Sequence, residues 1–176
     1  QPLAVQFADY AIWQHRVLGA PDDQDSVVGR QLAYWTNRLA GLPEVIDLPT
    51  DRPRPAVASQ RGAQHAFQIP AELGDRVAAV AQQTSTTGFM VVQAALAVLL
   101  ARLSGSDDIA VGTPIAGRGQ PVLDPLVGMF VNTLILRTRV DGAASFEDLL
   151  AEVKAADLDA FAHADVPFEN VVDAVG

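Results

Sequence analysis

Apolar residues recur at helical spacing along most of the chain and give way to β-branched runs in a few short stretches. Phe7, Tyr10, Ala11, Val17 and Leu18 share one face of a helix predicted over 7–18, with Gly19 as its C-terminal stop. Ser26 is placed to cap a second helix whose stripe is Val28, Leu32, Trp35 and Leu39, ended by Gly41. Prolines at 43, 49, 53 and 55 exclude a helix interior or a central strand, so 42–59 is an extended connector. A strand is expected over 62–69. Pro70 then opens a helix to about 83, and the polar run 84–87 breaks and recaps the chain before a very apolar helix over 89–103. That helix has little polar face to show water and is expected to be buried on most sides.

A short buried strand over 107–115, a Gly/Pro loop over 116–125 and a β-branched strand over 131–140 follow, with Arg137 and Arg139 on one face of the last. Ser145 and Asp148 have the spacing of a capping box. The helix they start carries Phe146, Leu149, Leu150, Val153, Leu158 and Phe161 on its apolar face, and Pro167 opens a final short helix. The order is α-α-β-α-α-β-β-α-α. Two or three strands among six helices predict an α/β (α+β) sandwich, a small mixed sheet packed with helices, and three strands cannot close a barrel.

Composition narrows the function. At 176 residues, 49% hydrophobic and 19% charged, the chain is large enough to bury one core and is not disordered. A net charge of −9 argues against nucleic acid as a partner, since phosphate binding needs concentrated positive surface. The absence of cysteine removes disulfides, thiolate metal sites and a cysteine nucleophile, and with them the usual mark of secretion. The longest apolar stretch, 89–101, is broken by Gln93 and spans about 20 Å as a helix, against about 30 Å for a membrane core, so no membrane span is expected. The first residues form neither a signal peptide nor an initiator methionine, and Gln1 reads as a cut end.

Most reaction classes lack their residues. His15, His65 and His163 are far apart in sequence and no metal-ligand spacing occurs, so no metal is expected; the first two read as surface residues and His163 as a turn residue. Gly112, Gly117 and Gly119 have neither phosphate-loop spacing nor a following lysine, and no G-x-S-x-G occurs. Arg52 and Arg54, in a proline-stiffened loop, read first as solvated charges and second as partners for an anion such as a phosphate carried by a partner. Asn132, at the start of an apolar strand, must satisfy its amide by pinning backbone or by facing a polar cavity or ligand. Asp165, two residues before Pro167, reads as a helix N-cap, and Phe168 as a core anchor.

Three segments, in order, carry a resemblance. FADYAIW (7–13) resembles the YxDYAxW motif of condensation domains in nonribosomal peptide synthetases, with Phe7 for the usual tyrosine. GMFVNTLILR (128–137) is similar to that family's GxFVNTxxxR motif, and HADVPFE (163–169) to its HQDxPFE motif, with Ala164 where glutamine is common. LPTDRPRP (48–55) and VGTPIAGR (111–118) also resemble the family, so the likeness covers nearly the whole chain. It implies a two-lobed fold like chloramphenicol acetyltransferase, in which two carrier-borne phosphopantetheine thioesters meet in a tunnel and the acceptor amine attacks the donor thioester. The family's HHxxxDG motif, which belongs to the N-terminal lobe, has no counterpart here, nor has the RDxSRxPL motif that follows PFE.

The expectation is therefore that 1–176 is the C-terminal lobe of a condensation domain, inactive alone. No cofactor is expected on the chain itself. The implied partners are the N-terminal lobe, peptidyl carrier domains bearing phosphopantetheine, and an adjacent adenylation domain, in the cytoplasm. Asn132 matches the asparagine that lines the family's active site and would act as an oxyanion-type donor. Arg118, with Arg52 and Arg54, is expected to face the tunnel or a carrier. Asp9, Tyr10, Trp13, Gly128, Phe130, Arg137, His163, Asp165, Pro167 and Phe168 match motif positions and are expected to stabilise the lobe. The string FVNTL (130–134) departs from those of epimerization and heterocyclization domains, which favours amide formation. The alternatives are a non-catalytic condensation-like module that binds carriers or recruits a tailoring enzyme, and a free-standing acyltransferase. A lobe without its mate should also expose an apolar face.

Overall fold

The computed structural model describes residues 3–53 and 55–176; Arg54, singled out above, lies outside the described residues. The elements are α1 (Phe7–Leu18), α2 (Val27–Leu39), α3 (Ala71–Gln83), α4 (Gly88–Ser104), β1 (Asp108–Ile115), β2 (Asn132–Arg139), α5 (Phe146–Ala162) and α6 (Phe168–Val175), with a 3-10 turn at Pro121–Leu123. Among the described residues, β1 and β2 form one two-stranded sheet. Gly112 lies against Thr133 and Gly117 against Phe130, so the strands run antiparallel.

The strand expected over 62–69 does not form among the described residues. Residues 55–70 are exposed throughout, with Phe67 77% and Ile69 56% accessible. A strand exists only by pairing its backbone, and no described segment supplies the partner.

The chain divides into two compact units. The first comprises residues up to Leu42, Ala110–Arg137 and Ala156–Gly176. Its core joins Leu18, the α2 residues Val28, Trp35 and Leu39, Leu134 and Leu136 of β2, Ala160 of α5, and Val166 and Val171. Each large aliphatic side chain buried there contributes about 1.5–3 kcal/mol, and α2 packs most closely against α6. Ser26 caps α2 by accepting the Gly29 N–H at 2.9 Å, as its position predicts.

Residues Pro43–Ile109 and Thr138–Ala155 form the second unit. Ala81 of α3, Met90, Val91 and Ala94 of α4, and Leu149, Leu150 and Val153 of α5 make its core. The chain bends by 104° between α3 and α4. Thr84 turns its hydroxyl back to the Val80 carbonyl at 2.8 Å, ending one helix, and Thr87 accepts the Met90 N–H at 3.2 Å, starting the next. Among the described residues no single helix is long and apolar enough to cross a membrane.

Two expectations about helix faces are corrected. In α4 only one side is buried: Phe89, Val92, Leu96, Leu99 and Leu103 are each between 38% and 54% accessible. Their 3-4-3-4 spacing makes them one continuous apolar stripe. Nothing among the described residues of this unit covers it. In α5 the buried stripe runs Leu149, Leu150, Val153, Asp157, Ala160, while Phe146, Leu158 and Phe161 are 43%, 56% and 47% accessible. The angular period of the helix, not residue hydrophobicity, decides which side faces inward.

Arg137 is 7% accessible, and its Nη1 donates to the Arg38 and Ala40 carbonyls at 2.7 and 2.9 Å. Arg38 returns a bond from Nη2 to the Arg137 carbonyl at 2.7 Å. The guanidinium thus closes the last turn of α2, whose terminal carbonyls have no helical partner. Arg139 is 76% accessible at its side chain and lies 3.9 Å from Asp108. Arg137→Ala is expected to cost about 3 kcal/mol in denaturant unfolding, and Arg139→Ala under about 1 kcal/mol.

The Ser145–Asp148 box forms as expected. Asp148 Oδ2 accepts the Ser145 hydroxyl at 2.6 Å and the Ser145 N–H at 3.1 Å, and the Asp148 N–H donates to the Ser145 hydroxyl at 3.1 Å. The hydroxyl first, and the backbone N–H second, hold the Asp148 carboxyl below its ordinary value. The cap is therefore intact above the ordinary aspartate range and is lost as pH falls through the lowered value. Ser145→Ala should move the Asp148 titration upward in NMR.

Candidate functional site

Helix α1 sets Phe7, Tyr10 and Trp13 one turn apart, so their rings share a face. Phe130, just before β2, packs into them: its ring centre lies 5.2 Å from that of Phe7, edge to face, and 4.9 Å from that of Tyr10. Gly128 is required here because a Cβ would land on the Phe7 ring. Asp9 secures the start of α1, its Oδ2 accepting the Gln6 N–H at 2.9 Å.

On the other side of Phe130, Arg118 lays its guanidinium over the ring at 4.1 Å. The same guanidinium donates to the Leu123 carbonyl and, at 2.9 Å, to that of Leu126. It thereby folds the 116–126 loop onto itself. Gly117, at φ +63°, carries the chain past the Phe130 carbonyl where any Cβ would collide.

The turn between α5 and α6 has no regular structure, yet side chains satisfy its polar groups from outside. Trp35 Nε1 donates to the His163 carbonyl at 2.9 Å. Asn132 Nδ2 donates to the Ala164 and Val166 carbonyls at 3.1 and 2.8 Å, while its Oδ1 accepts the Phe168 N–H at 3.0 Å. Gln31, 6% accessible, accepts the Asp165 and Val166 N–H groups at Oε1, each at 3.0 Å, and donates from Nε2 to Asp165 Oδ2 at 2.9 Å. His163 stacks flat on Tyr34 with ring centres 3.8 Å apart, and its Nδ1 lies 2.7 Å from the Asp159 carbonyl.

These parts enclose a groove of about 680 Å³ within the first unit. Tyr10 and Trp13 line it from α1, Gly117 and Arg118 from the loop, and Asp165 from the turn. Burial raises the Tyr10 hydroxyl above its ordinary value, and the negative charge of Asp165 raises it further. The volume lies within the range of sites for small organic ligands.

The three motif segments thus converge: 7–13 and 128–132 meet at the aromatic corner, and 132 reaches 164–168. Asn132 spends both donors and an acceptor on backbone, so an oxyanion-donor role would require breaking bonds it already makes. Arg118 lines the groove with its donors turned into its own loop. Arg52 lies in an exposed turn of the second unit, whereas the groove is lined entirely from the first. Asp165 is not the N-cap of α6. That position is Pro167, whose side chain can accept no bond, and the N–H of Phe168, the first helical residue, donates to Asn132 Oδ1 at 3.0 Å instead. Phe168 is half-buried against α2 and β2 residues rather than fully enclosed. Gln31 was missed altogether: a lone glutamine on a helix carries no sequence signal except its place on the buried α2 stripe beside Val28 and Trp35.

The condensation-domain family model matches residues 1–176. The chain belongs to the condensation-domain family, whose relatives are segments of nonribosomal peptide synthetases of secondary metabolism. Over 172 residues it is 55% identical to an isonitrile lipopeptide synthase of Mycobacterium tuberculosis, covering 98% of this chain and 7% of that protein. It is 46% identical to a dimodular nonribosomal peptide synthase of Bacillus subtilis, with the same coverage of 98% and 7%. Among solved structures, the X-domain from teicoplanin biosynthesis matches with a TM-score of 0.91 at 36% identity, covering 99% of this chain and 39% of that one. The same X-domain in complex with OxyB matches at 0.92 and 36%, covering 99% and 38%. The chain therefore spans a small part of each relative and well under half of a solved domain. Its mixed α/β architecture is that of these domains.

Asn132→Ala would leave two carbonyls and one N–H of the turn without partners. Destabilisation by about 2–3 kcal/mol is expected in denaturant unfolding. Amide exchange at Phe168 should accelerate more than at Val153, which lies in the other unit.

Proposed function

We propose that the chain is the C-terminal, acceptor-side lobe of an amide-forming condensation domain, inactive until the N-terminal lobe completes it. The meeting of three family motifs carries this reading: the first and third line one groove while Phe130 and Asn132 of the second pack against them, and family membership and the synthetase relatives support it. The remainder of the domain would supply the histidine motif. Two carrier domains would deliver their phosphopantetheine thioesters, and an adenylation domain would load the acceptor, in the cytoplasm. The acceptor nitrogen attacks the donor thioester carbonyl, the C–S bond breaks, and an amide and a free carrier thiol result. This chain's share is to shape and hold one wall. Asn132 and Gln31 are positioning residues for the 163–168 turn, Arg118 positions the loop opposite, and none of the three touches the reacting atoms directly.

A second reading is favoured by one observation, the close match to an X-domain that was solved in complex with OxyB. On that reading the chain belongs to a recruiting module without turnover.

One experiment separates the two. The complete domain containing this chain is mixed with a donor-loaded and an acceptor-loaded carrier, and the carriers are followed by intact-protein mass spectrometry. Amide on the acceptor carrier, absent with this chain alone, is expected. Carriers that stay loaded while the domain binds an oxidative tailoring enzyme would sink the condensation reading.

A further inference from the structure

We propose that residues 117–126 are a lid on the groove of the first unit, held closed by the Arg118 guanidinium and able to open as one piece while the core beneath stays folded. The lid goes beyond the condensation and recruiting readings and depends on neither.

The loop supplies much of the groove's wall, through Gly117, Arg118, Gly119, Gln120, Val122 and Leu123. Yet it is fastened lightly. Leu123 and Leu126 are buried with Phe130 in a small cluster of their own, with Val5 and Tyr10 packed on it, apart from the core that joins α2, β2 and α6. Among the described residues, the hydrogen bonds of 118–126 run within the loop. The Leu123 N–H donates to the Gln120 carbonyl at 3.0 Å, the Asp124 N–H to the Pro121 carbonyl at 3.2 Å and the Leu126 N–H to the Leu123 carbonyl at 3.1 Å. A segment bonded to itself, and sharing few buried apolar side chains with its surroundings, opens locally at less cost than the whole fold.

Arg118 is what keeps it shut. Its guanidinium donates to the Leu123 carbonyl and, at 2.9 Å, to that of Leu126, and it lies 4.1 Å from the centre of the Phe130 ring. The carbonyl of Leu123, last residue of the 3-10 turn, has no partner further along that turn, and Phe130 is itself held by the rings of Phe7 and Tyr10. One planar cation therefore ties the far end of the loop to its beginning and both to the aromatic corner. The backbone has room to turn on either side of the buried leucines. Gly119 has no atom within 4 Å of where a Cβ would stand, and Val127 is 93% accessible.

Native-state hydrogen exchange of the full chain, followed by NMR, reads the lid without any substitution. The Leu123, Asp124 and Leu126 amides should exchange at least about tenfold faster than those of Leu32 and Trp35 in the middle of α2. Arg118→Gln should speed the three loop amides about tenfold further, the scale of a hydrogen bond from a charged group, and leave the α2 amides unchanged. Arg118→Lys, which keeps the charge but loses the planar fork, should fall between the two. Of the two tryptophans, Trp35 is 2% accessible while Trp13, at 48%, lines the groove, so acrylamide quenching of fluorescence reports on the groove. Quenching should rise in Arg118→Gln. Loop amides as slow as those of α2 in the unsubstituted chain overturn the lid, and so does an Arg118→Gln chain whose amides all quicken together. Faster loop exchange with unchanged quenching also overturns it, because the loop then moves without opening the groove.

Discussion

The backbone of 163–168 must leave α5, turn and re-enter as α6 without a ladder or helix of its own to bond to. Unpaired buried peptide groups each cost on the order of 1–3 kcal/mol, so such a turn exists only where side chains answer it. Trp35, Gln31 and Asn132 do so, two from α2 and one from the first residue of β2. This set of bonds orients α6 on α2, places Asp165 at the groove, and ties the last motif segment to the middle one. Most of the first unit's geometry follows from it.

The same economy runs through the unit. Residues whose chemistry suggests reactivity are spent on architecture: Asn132 on a turn, Arg118 on its own loop, Arg137 on the end of α2. Low dielectric and fixed geometry make such bonds strong and hold the segments they join in one arrangement. What they shape is a groove with apolar and aromatic walls, with Asp165 among its lining residues. The second unit has a different character. Its α4 stripe and the irregular segment 55–70 leave apolar surface and backbone in solvent.

Much of this was legible in the residues. Periodicity, caps and prolines located all six helices and both strands to within a residue or two, because these signals are local and act over one or two turns. The motif segments at 7–13, 128–137 and 163–169 identified the family that residues 1–176 match. The strand at 62–69 was not decidable locally, since alternation says only that a segment can pair. The outward faces of α4 and α5 escaped for a related reason: hydrophobicity states what gains by burial, not whether anything is there to bury it.

By itself, then, the sequence determined the six helices and two strands found among the described residues, the Ser26 and Ser145–Asp148 caps, and the family. Those are set by backbone sterics and by spacing within a few residues. Tertiary structure alone decided what the named side chains do. Asn132 and Gln31 meet 163–168 across more than thirty and more than a hundred residues of chain. Which polar atom satisfies which is a matter of distances between segments, and no local pattern encodes those distances.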